Sequence, residues 1–392
     1  MNVLLLGVGM QGKVALHDLA HSDGVQEVIA ADLDLAGLLH YVAQMGYGAK
    51  VRCEPCDARD PAHLERLMSL GADVAIDLLP NRFNSVAAEA AVRHGLHYVN
   101  ASYAASIRHL AAEAQAKALT LLPEFGMDPG IDLVLLGEAV RQFDVVEDIV
   151  TYGAGFPEPQ AANNPIQYKV TWTFEGVLKS YLRAGRIIRN GEIVAIRENE
   201  MFCPENLHYV ELEGIGRLEA FPNGDALVYA DLLGLPRSQL RNLGRFVLRW
   251  PGHAEFWKKL VDLHLLDSEP VIVDGVAVDR RRFLAAVMEP HLQYQENERD
   301  IAVIRVEVEG RKAGKRKRAL YQVVDRRDLA TGFTAMSHTV GFTASIGAQM
   351  IGSGALSTRG LLSPVKDVPY EPFARELRKR GIVVTSECRE WD

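Results

Sequence analysis

The chain has 392 residues, 48% of them hydrophobic and 24% charged, which describes a folded globular protein too long for one ordinary core and argues for two domains. Its net charge of −8 works against nucleic acid or an anionic membrane as partner, since both need a basic surface, and no apolar run reaches the ~18 residues that would span a bilayer. The opening residues MNVLLLGVGMQG lack a basic n-region and a cleavage site, and four cysteines make no disulfide framework, so a cytoplasmic protein with reduced thiols is expected.

The first third alternates apolar runs with helical periodicity, the pattern of a parallel sheet covered on both faces. Val3 to Leu6 reads as a strand entering a glycine turn, and Gln11 to Ala20 as the helix that follows. Further strands are expected at Glu27 to Ala31, Lys50 to Cys53, Val74 to Leu78, His97 to Val99 and Thr120 to Leu122. Helices are expected between them, among these Gly37 to Gln44, Pro61 to Leu70 and Ser85 to His94. After Gly126 the pattern changes to alternating strand-like segments at Asp148 to Gly153, Arg245 to Arg249, Ile301 to Val308 and Leu320 to Val324. Asn190-Gly191 is a turn signal, and Phe174 to Leu182 and Ala254 to Leu263 read as helices. The segment from about Met336 looks helical again over Gly341 to Ile351. These signals divide the chain into an α/β domain (residues 1–125 plus about 336–392) and an α+β domain on a mixed or antiparallel sheet (126–335), to which the family resemblance described below assigns substrate binding and dimerisation.

The run GVGMQG places Gly7, Gly9 and Gly12 directly after a strand and at the start of a helix. The first glycine permits the tight turn, the second lets backbone approach a pyrophosphate, and the third lets helix and strand pack closely. Asp32 closes the second strand, twenty residues beyond Gly12, where an acid holds ribose hydroxyls. Together these features predict a Rossmann domain binding a nicotinamide dinucleotide. A carboxylate at Asp32 repels the extra phosphate of NADP, and no Arg or Lys follows closely, so NAD is expected over NADP. Asp57, after the third strand, has two open roles: contact with the adenine or ribose, or capping of the helix near Pro61.

The blocks GVGMQGKVALHDLA, IAADLDLA, PEFGMDPGIDLVL, NNPIQYKVTWTFEGVL and EAFPNGDA resemble the saccharopine dehydrogenase family over essentially the whole chain, and more closely its saccharopine reductase and lysine 6-dehydrogenase branch. The resemblance implies a Rossmann domain with an α+β substrate domain, a homodimer, and redox chemistry at a carbon–nitrogen bond of a lysine-derived amino acid. By motif it assigns Gly7, Gly9, Met10, Gln11, Gly12 and Asp32 to the dinucleotide, with Leu78, Leu79 and Pro80 running beneath the cofactor. Ser102, Tyr103 and the Glu124 to Pro129 stretch then line the nicotinamide and substrate junction. Tyr168, Lys169, Trp172 and Arg249 face the substrate from the second domain. One departure bears on substrate: the reductases carry an arginine in a P-N-R-D block where this chain has Pro222-Asn223-Gly224-Asp225. Arginine binds a carboxylate bidentately and glycine cannot, so Gly224 weakens saccharopine as substrate. Asp32 and the RNLGRFVLRWPGHAEFWKKLVDL region look closer to the lysine 6-dehydrogenases, whereas Asp128 fits the reductases.

Oxidising an amine requires it neutral, so that the nitrogen lone pair assists hydride departure, and a nearby carboxylate serves as base. Asp128 is the first candidate and Glu124 the second, both where the strand Thr120–Leu122 gives way to a helix expected to start at Pro129. Asp128 followed by proline also reads as a helix cap, and the two roles can coexist. Lys169 either binds a substrate carboxylate or is an exposed lysine. Cys53-x-x-Cys56 has metal-like spacing with no second pair behind it, so no metal site is expected. His253 reads as structural, and the basic run Arg311 to Arg318 as the solvated tip of a hairpin. The expected function is oxidation at the ε-carbon amine of lysine or of a lysine-derived secondary amine such as saccharopine, acting on a small amino-acid substrate. A carboxy-polyamine or opine-type reductive amination, or a catalytically silent dinucleotide-binding regulator, are the alternatives.

Overall fold

The computed structural model describes all residues from 1 to 392 as two compact units. The first comprises Met1–Gly137 and Ser337–Val383, the second Glu138–Met336 and Val384–Asp392.

In the first unit, β1 (Asn2–Leu6), β2 (Glu27–Asp32), β3 (Val51–Pro55), β4 (Val74–Asp77), β5 (His97–Asn100) and β6 (Thr120–Leu122) form a parallel sheet. A short strand at Gly360–Leu361 extends its edge, giving seven strands in the order Gly360–Leu361, β6, β5, β4, β1, β2, β3. Helices α1 (Met10–His21), α2 (Leu35–Met45), α3 (Pro61–Met68) and α4 (Asn84–Arg93) connect the early strands. Leu4, Leu5, Leu6, Ile29, Ala30, Ala75 and Ile76 are wholly buried, as expected for strands covered on both faces. The strand order reverses between β1 and β4, and at such a switch point a crevice opens outside the carboxyl ends of the strands. Asp34 caps α2 by accepting the Gly37 N–H (3.0 Å), and Asp60 caps α3 by accepting the Ala62 N–H (2.9 Å). The late helix Ala335–Gly352 packs against α1: a Cβ on Gly341 would lie 2.5 Å from the Gln11 carbonyl oxygen. Asp18 of α1 binds Ser345 Oγ (2.5 Å), Gln349 Nε2 (2.9 Å) and Arg380 Nε (2.7 Å), fixing the late segment onto α1.

In the second unit β7 (Val145–Pro157), β8 (Gly185–Arg189), β9 (Glu192–Ile196), β10 (His208–Leu212), β11 (Gly216–Pro222) and β12 (Asn242–Arg249) precede a small hairpin of β13 (Val271–Val273) and β14 (Val276–Val278). Long β15 (Asp300–Lys312) and β16 (Lys315–Arg326) follow. They make a nine-stranded mixed sheet in the order β10, β11, β12, β7, β15, β16 and the terminal strand Val384–Trp391, with β8 on β12 and β9 on β8. Only β7 and β12 pair in parallel. Asn190 (φ 52°) and Gly191 (φ 83°) turn β8 into β9, two left-handed residues in succession as a type I′ hairpin demands. The terminal strand departs from expectation: Val384–Trp391 pairs with β16 in the second unit instead of staying with the first domain. Its residues are nearly all exposed, so no apolar pattern announces it. The basic run 311–318 spans the β15–β16 turn, with Arg311 bound to Glu147 (2.9 Å) and Lys312 to Asp144 (2.6 Å).

Asp300, fully buried at the start of β15, accepts the N–H groups of Ala335 (2.8 Å) and Met336 (3.1 Å). Burial nevertheless pushes its carboxyl up to about 6. The unfolded value lies near ~3.9, so between these values the folded chain binds the extra proton, and stability falls as pH rises through the folded value. The loss approaches about 3 kcal/mol at neutral pH. Asp300→Asn should remove this component. In urea melts from about pH 5 to about pH 8, the wild type should lose stability relative to the variant as pH rises; a constant difference would show that Asp300 does not titrate there.

Candidate functional site

The β1–α1 turn makes a cradle that only glycine permits. Gly7 adopts φ +84° with its α-carbon against β4's exit, so that a Cβ would lie 2.8 Å from the Leu78 carbonyl oxygen. A Cβ on Gly12 would lie 2.0 Å from the Gly7 carbonyl oxygen, whereas one on Gly9 would meet nothing within 4 Å. Gly9 and Met10 are exposed, and α1 begins at Met10 with its N-terminal N–H groups facing the same opening. This geometry fits a dinucleotide: tight packing at Gly7 and Gly12 holds the helix end, and open space at Gly9 admits a pyrophosphate. Gln11 lies in the first turn of α1.

Asp32 sits at the end of β2, and its carboxylate holds backbone. Oδ2 accepts the Val8 N–H (2.7 Å) and Oδ1 the Asp34 N–H (3.0 Å). Asp57 forms a bidentate pair with Arg59 (2.8 and 2.7 Å), whose hydrogen bonds hold its carboxyl down at about 2. The cap of α3 is Asp60, so the capping alternative for Asp57 falls.

A hydrogen-bonded network not foreseen from the sequence fixes the loop beneath the opening. Buried Asp77, the last residue of β4, accepts from Tyr98 Oη (2.5 Å), Asn84 Nδ2 (2.9 Å) and the Leu79 N–H (2.9 Å). Burial raises its carboxyl above the usual range. Asn100 Nδ2 donates to Tyr98 Oη (3.0 Å), and Asn100 Oδ1 accepts the Ser102 N–H (3.1 Å). Ser102 Oγ reaches Asn81 Oδ1 (2.9 Å). Leu79 and the turn that follows it are thereby tied to Ser102 at the exit of β5. The signal available in the sequence was polar residues closing two otherwise apolar strands, Asp77 and Asn100.

Glu124 and Asp128 lie in the connection leaving β6. Glu124 is buried in a left-handed conformation (φ 59°); its N–H donates to the Ser102 carbonyl (2.9 Å), and Phe125 N–H to the Asn100 carbonyl (2.9 Å). Asp128 is half-buried and precedes a cis peptide to Pro129. The following helix starts at Ile131, not at Pro129. Asp128 therefore stands outside the cap position, and Asp132 Oδ1 accepts the Gly130 N–H (2.7 Å).

In the second unit, Tyr168, Trp172 and Arg249 surround an aromatic core with Phe174, Tyr181, His253 and Trp257. Arg249 is 7% exposed, and Nη1 donates to the Leu248 carbonyl (2.8 Å). Its guanidinium carbon lies 5.3 Å from the Tyr168 ring centre, and Nε is buried without a partner. Tyr168 Oη, Tyr294 Oη and Trp257 Nε1 are likewise buried and unpartnered. Buried polar atoms are nearly always paired, so this concentration makes the cluster a candidate for holding a polar ligand. His253 is buried with Nε2 2.9 Å from Tyr181 Oη; burial, aided by Arg249, lowers its pKa, in keeping with a structural role. Lys169 is buried in a loop, and Nζ pairs with Glu298 Oε2 at 2.5 Å. The chain itself thus supplies the carboxylate that a substrate was expected to bring to Lys169. Glu298 lies far along the sequence and nothing local points to it.

Comparison with known proteins gives a consistent picture. The family model described as the saccharopine dehydrogenase NADP binding domain matches residues 3–122, and that of the saccharopine dehydrogenase C-terminal domain matches residues 126–382. The chain is similar to the NADP(+)-dependent, L-glutamate-forming saccharopine dehydrogenase of Saccharomyces cerevisiae, 24% identical over 446 residues covering 97% of this chain and 98% of that protein. The corresponding Schizosaccharomyces pombe protein is 26% identical over 399 residues, 84% of this chain and 87% of that one. Mitochondrial alpha-aminoadipic semialdehyde synthase of Bos taurus is 24% identical over 450 residues, covering 98% of this chain; the chain spans only 47% of that protein. Apo saccharopine dehydrogenase (L-Glu forming) from Saccharomyces cerevisiae has the same fold, with a TM-score of 0.84, 23% identity and 99% of both chains covered. The expectation of NAD is corrected by these findings: the matching nucleotide domain is an NADP-binding one, and the yeast relatives are NADP(+) enzymes. The physical reason lies in Asp32. The expectation rested on the charge and spacing of Asp32 alone, whereas its carboxylate also holds the turn, Oδ2 accepting the Val8 N–H and Oδ1 the Asp34 N–H, so an acid at this position serves the fold whichever cofactor binds.

Proposed function

Because the chain belongs to the saccharopine dehydrogenase family and is an oxidoreductase acting on CH–NH donors, we propose that its substrate is L-saccharopine, oxidised at the ε-carbon of the lysine moiety with NADP. The observation that carries this reading is the end-to-end match of both family models, residues 3–122 and 126–382. The buried, incompletely paired Arg249 supports a substrate with a carboxylate. Bound at the Gly9 opening, NADP supplies the hydride acceptor. Asp128 takes a proton from the secondary amine, and the nitrogen lone pair thus freed would form the nitrogen–carbon double bond as the ε-carbon gives up its hydride. Glu124, buried one turn of chain earlier, is the second candidate for that proton. Water adds to the resulting imine, and collapse of the adduct releases L-glutamate and a semialdehyde. Asp77 and its partners hold the Leu78–Pro80 loop and Ser102 in place.

A second reading, oxidation of L-lysine itself at the ε-carbon, is favoured by Gly224 and by the resemblance of Asp32 and the Arg241–Leu263 region to lysine 6-dehydrogenases. Incubation of the purified chain with NADP and either L-saccharopine or L-lysine, following reduced-nicotinamide absorbance, separates the two. Turnover is expected with saccharopine, and lysine turnover alone would transfer the assignment. Asp128→Ala should lower kcat by about 10²–10⁴-fold with NADPH affinity unchanged, and full activity in that variant would remove Asp128 from the chemistry. The reading includes a homodimer, supported by apolar side chains exposed on the β13–β14 hairpin and the helix behind it (Ile272 65%, Val276 63%, Phe283 57%). It also includes a cytosolic location, consistent with four free thiols.

A further inference from the structure

The dinucleotide turn and the backbone of Glu124 stand at the two ends of one line of hydrogen bonds. At the first end, the Gly7 α-carbon presses on the chain leaving β4: a Cβ there would lie 2.8 Å from the Leu78 carbonyl oxygen and 3.2 Å from the Leu79 nitrogen. The Leu78 N–H donates to the Leu6 carbonyl (2.9 Å), so the turn and this chain are tied together. The Leu79 N–H in turn donates to Asp77 Oδ1 (2.9 Å). At the far end, the Glu124 N–H donates to the Ser102 carbonyl and the Phe125 N–H to the Asn100 carbonyl, both at 2.9 Å. Between the ends, the Ser102 N–H donates to Asn100 Oδ1 (3.1 Å), Asn100 Nδ2 to Tyr98 Oη (3.0 Å), and Tyr98 Oη to Asp77 Oδ2 (2.5 Å).

Every bond from Glu124 inward donates toward Asp77. The Tyr98 hydroxyl has one proton, which it gives to Asp77, so toward Asn100 it acts as acceptor. Asn84 Nδ2 (2.9 Å) and the Leu79 N–H complete the partners of Asp77, three neutral donors with no cation among them. Bonds that all point at one buried carboxylate polarise and strengthen one another. Asp77, Tyr98 and Asn100 are all buried, so bulk water does not make good a lost link. Ser102 Oγ also reaches Asn81 Oδ1 (2.9 Å), but at the exposed surface, where water competes for both groups.

Resting on the proposed function, we infer that Tyr98 is a positioning residue of the reaction: its hydroxyl is the link through which the occupied dinucleotide turn holds the Glu124 backbone, and with it the start of the Glu124–Asp128 segment. It acts through Asp77 and Asn100, not on a reacting atom. Glu124 is the residue in need of such support. Its φ of 59° is one that a side-chain-bearing residue keeps only where its surroundings impose it. Because coupling between two sites is reciprocal, binding at the turn tightens the Glu124 end.

The test compares wild type with Tyr98→Phe, which removes one oxygen and keeps the ring, and with Asn100→Ala, which breaks the next link and serves alone should Tyr98→Phe not fold. The control is Asn84→Ala, which takes from Asp77 a buried donor that lies off the line. Amide hydrogen exchange over residues 122–128 is followed with and without NADPH, together with the Tm of the apo protein and L-saccharopine kinetics with NADP. In wild type, NADPH should slow exchange at Glu124 and Phe125 by about 5–150-fold. Tyr98→Phe and Asn100→Ala should lose most of that slowing, and kcat should fall about 10–100-fold with the saccharopine KM nearly unchanged. Asn84→Ala should lower the apo Tm and still show the slowing. No slowing in wild type, full slowing in either line variant, or an equal loss of it in Asn84→Ala overturns the inference, as does a kinetic loss confined to KM. If wild type oxidises neither amine, the proposed activity fails and hydrogen exchange decides alone: slowing present in wild type and lost in Tyr98→Phe keeps the assignment of Tyr98, and any other pattern ends it.

Discussion

Gly9→Ala is expected to abolish most NADPH binding without destabilising the protein, while Gly12→Ala should lose both binding and stability. The two glycines stand three residues apart in one motif, yet their surroundings differ. A methyl group on Gly9 enters open space, so the apo protein should change by no more than about 0.5 kcal/mol. That open space is where the pyrophosphate approaches the α1 N-terminus, and a methyl there holds the phosphates off the N–H groups that bind them. Affinity should fall at least about tenfold, the equivalent of ~1.4 kcal/mol. On Gly12 the methyl group meets the Gly7 carbonyl oxygen at 2.0 Å and its carbon at 2.9 Å. Both are backbone atoms, so α1 must move off β1, at about 1–3 kcal/mol, against a gain of about 1 kcal/mol from better helix propensity. Thermal melts with and without NADPH separate these effects, because a ligand bound only to the folded state raises Tm. Gly9→Ala should keep the apo Tm and lose the NADPH-induced rise. A full rise in that variant would place the pyrophosphate elsewhere.

The same contrast shows how far the sequence could be read. Spacing identifies Gly7, Gly9 and Gly12 as one motif, and the strands of the first unit announce themselves because burial on both faces makes them continuously apolar. Thr120–Leu122 falls where expected, and the others shift by one or two residues at their ends. Strands that are half-exposed or short carry no such mark, which is why Gly360–Leu361, β8 to β10 and Val384–Trp391 were not foreseen, whereas β11 is largely buried but carries Glu219 within its apolar run. The site was legible where a residue acts through its backbone and obscure where its side chain acts. Asp32 occupies the position its spacing indicates, but spacing cannot reveal that its oxygens also hold the Val8 and Asp34 N–H groups, and the cofactor expectation drawn from its charge was overturned by the relatives. Lys169 is likewise where the motif puts it, while Glu298, more than a hundred residues later, decides what its ammonium does. In each case the deciding partner is set by tertiary contact and leaves no local trace.

Arg249→Met should separate stability from function in the opposite sense. The guanidinium is buried, takes one carbonyl and one aromatic face as partners, and leaves Nε unpaired. Glu219, its neighbour across β11, gives Oε2 to the Ala254 N–H (2.7 Å). A buried charge so poorly compensated weakens the free protein, because desolvation exceeds the interactions that replace water. Methionine has a similar reach and an apolar, adaptable side chain that can pack against Tyr168 and its neighbours. The variant should therefore resist urea better than wild type, by about 1–4 kcal/mol if it repacks as apolar replacements of buried charges do. What it gives up is a charged partner for the substrate's carboxylate, worth about 1.5–3 kcal/mol, so kcat/KM for saccharopine should fall about 10–100-fold while NADPH affinity holds. Greater stability with lower kcat/KM is the signature of a residue kept for its ligand. If Arg249→Met instead loses stability and retains kcat/KM, the guanidinium is a strut of the aromatic core, and the unpaired atoms around it need another explanation.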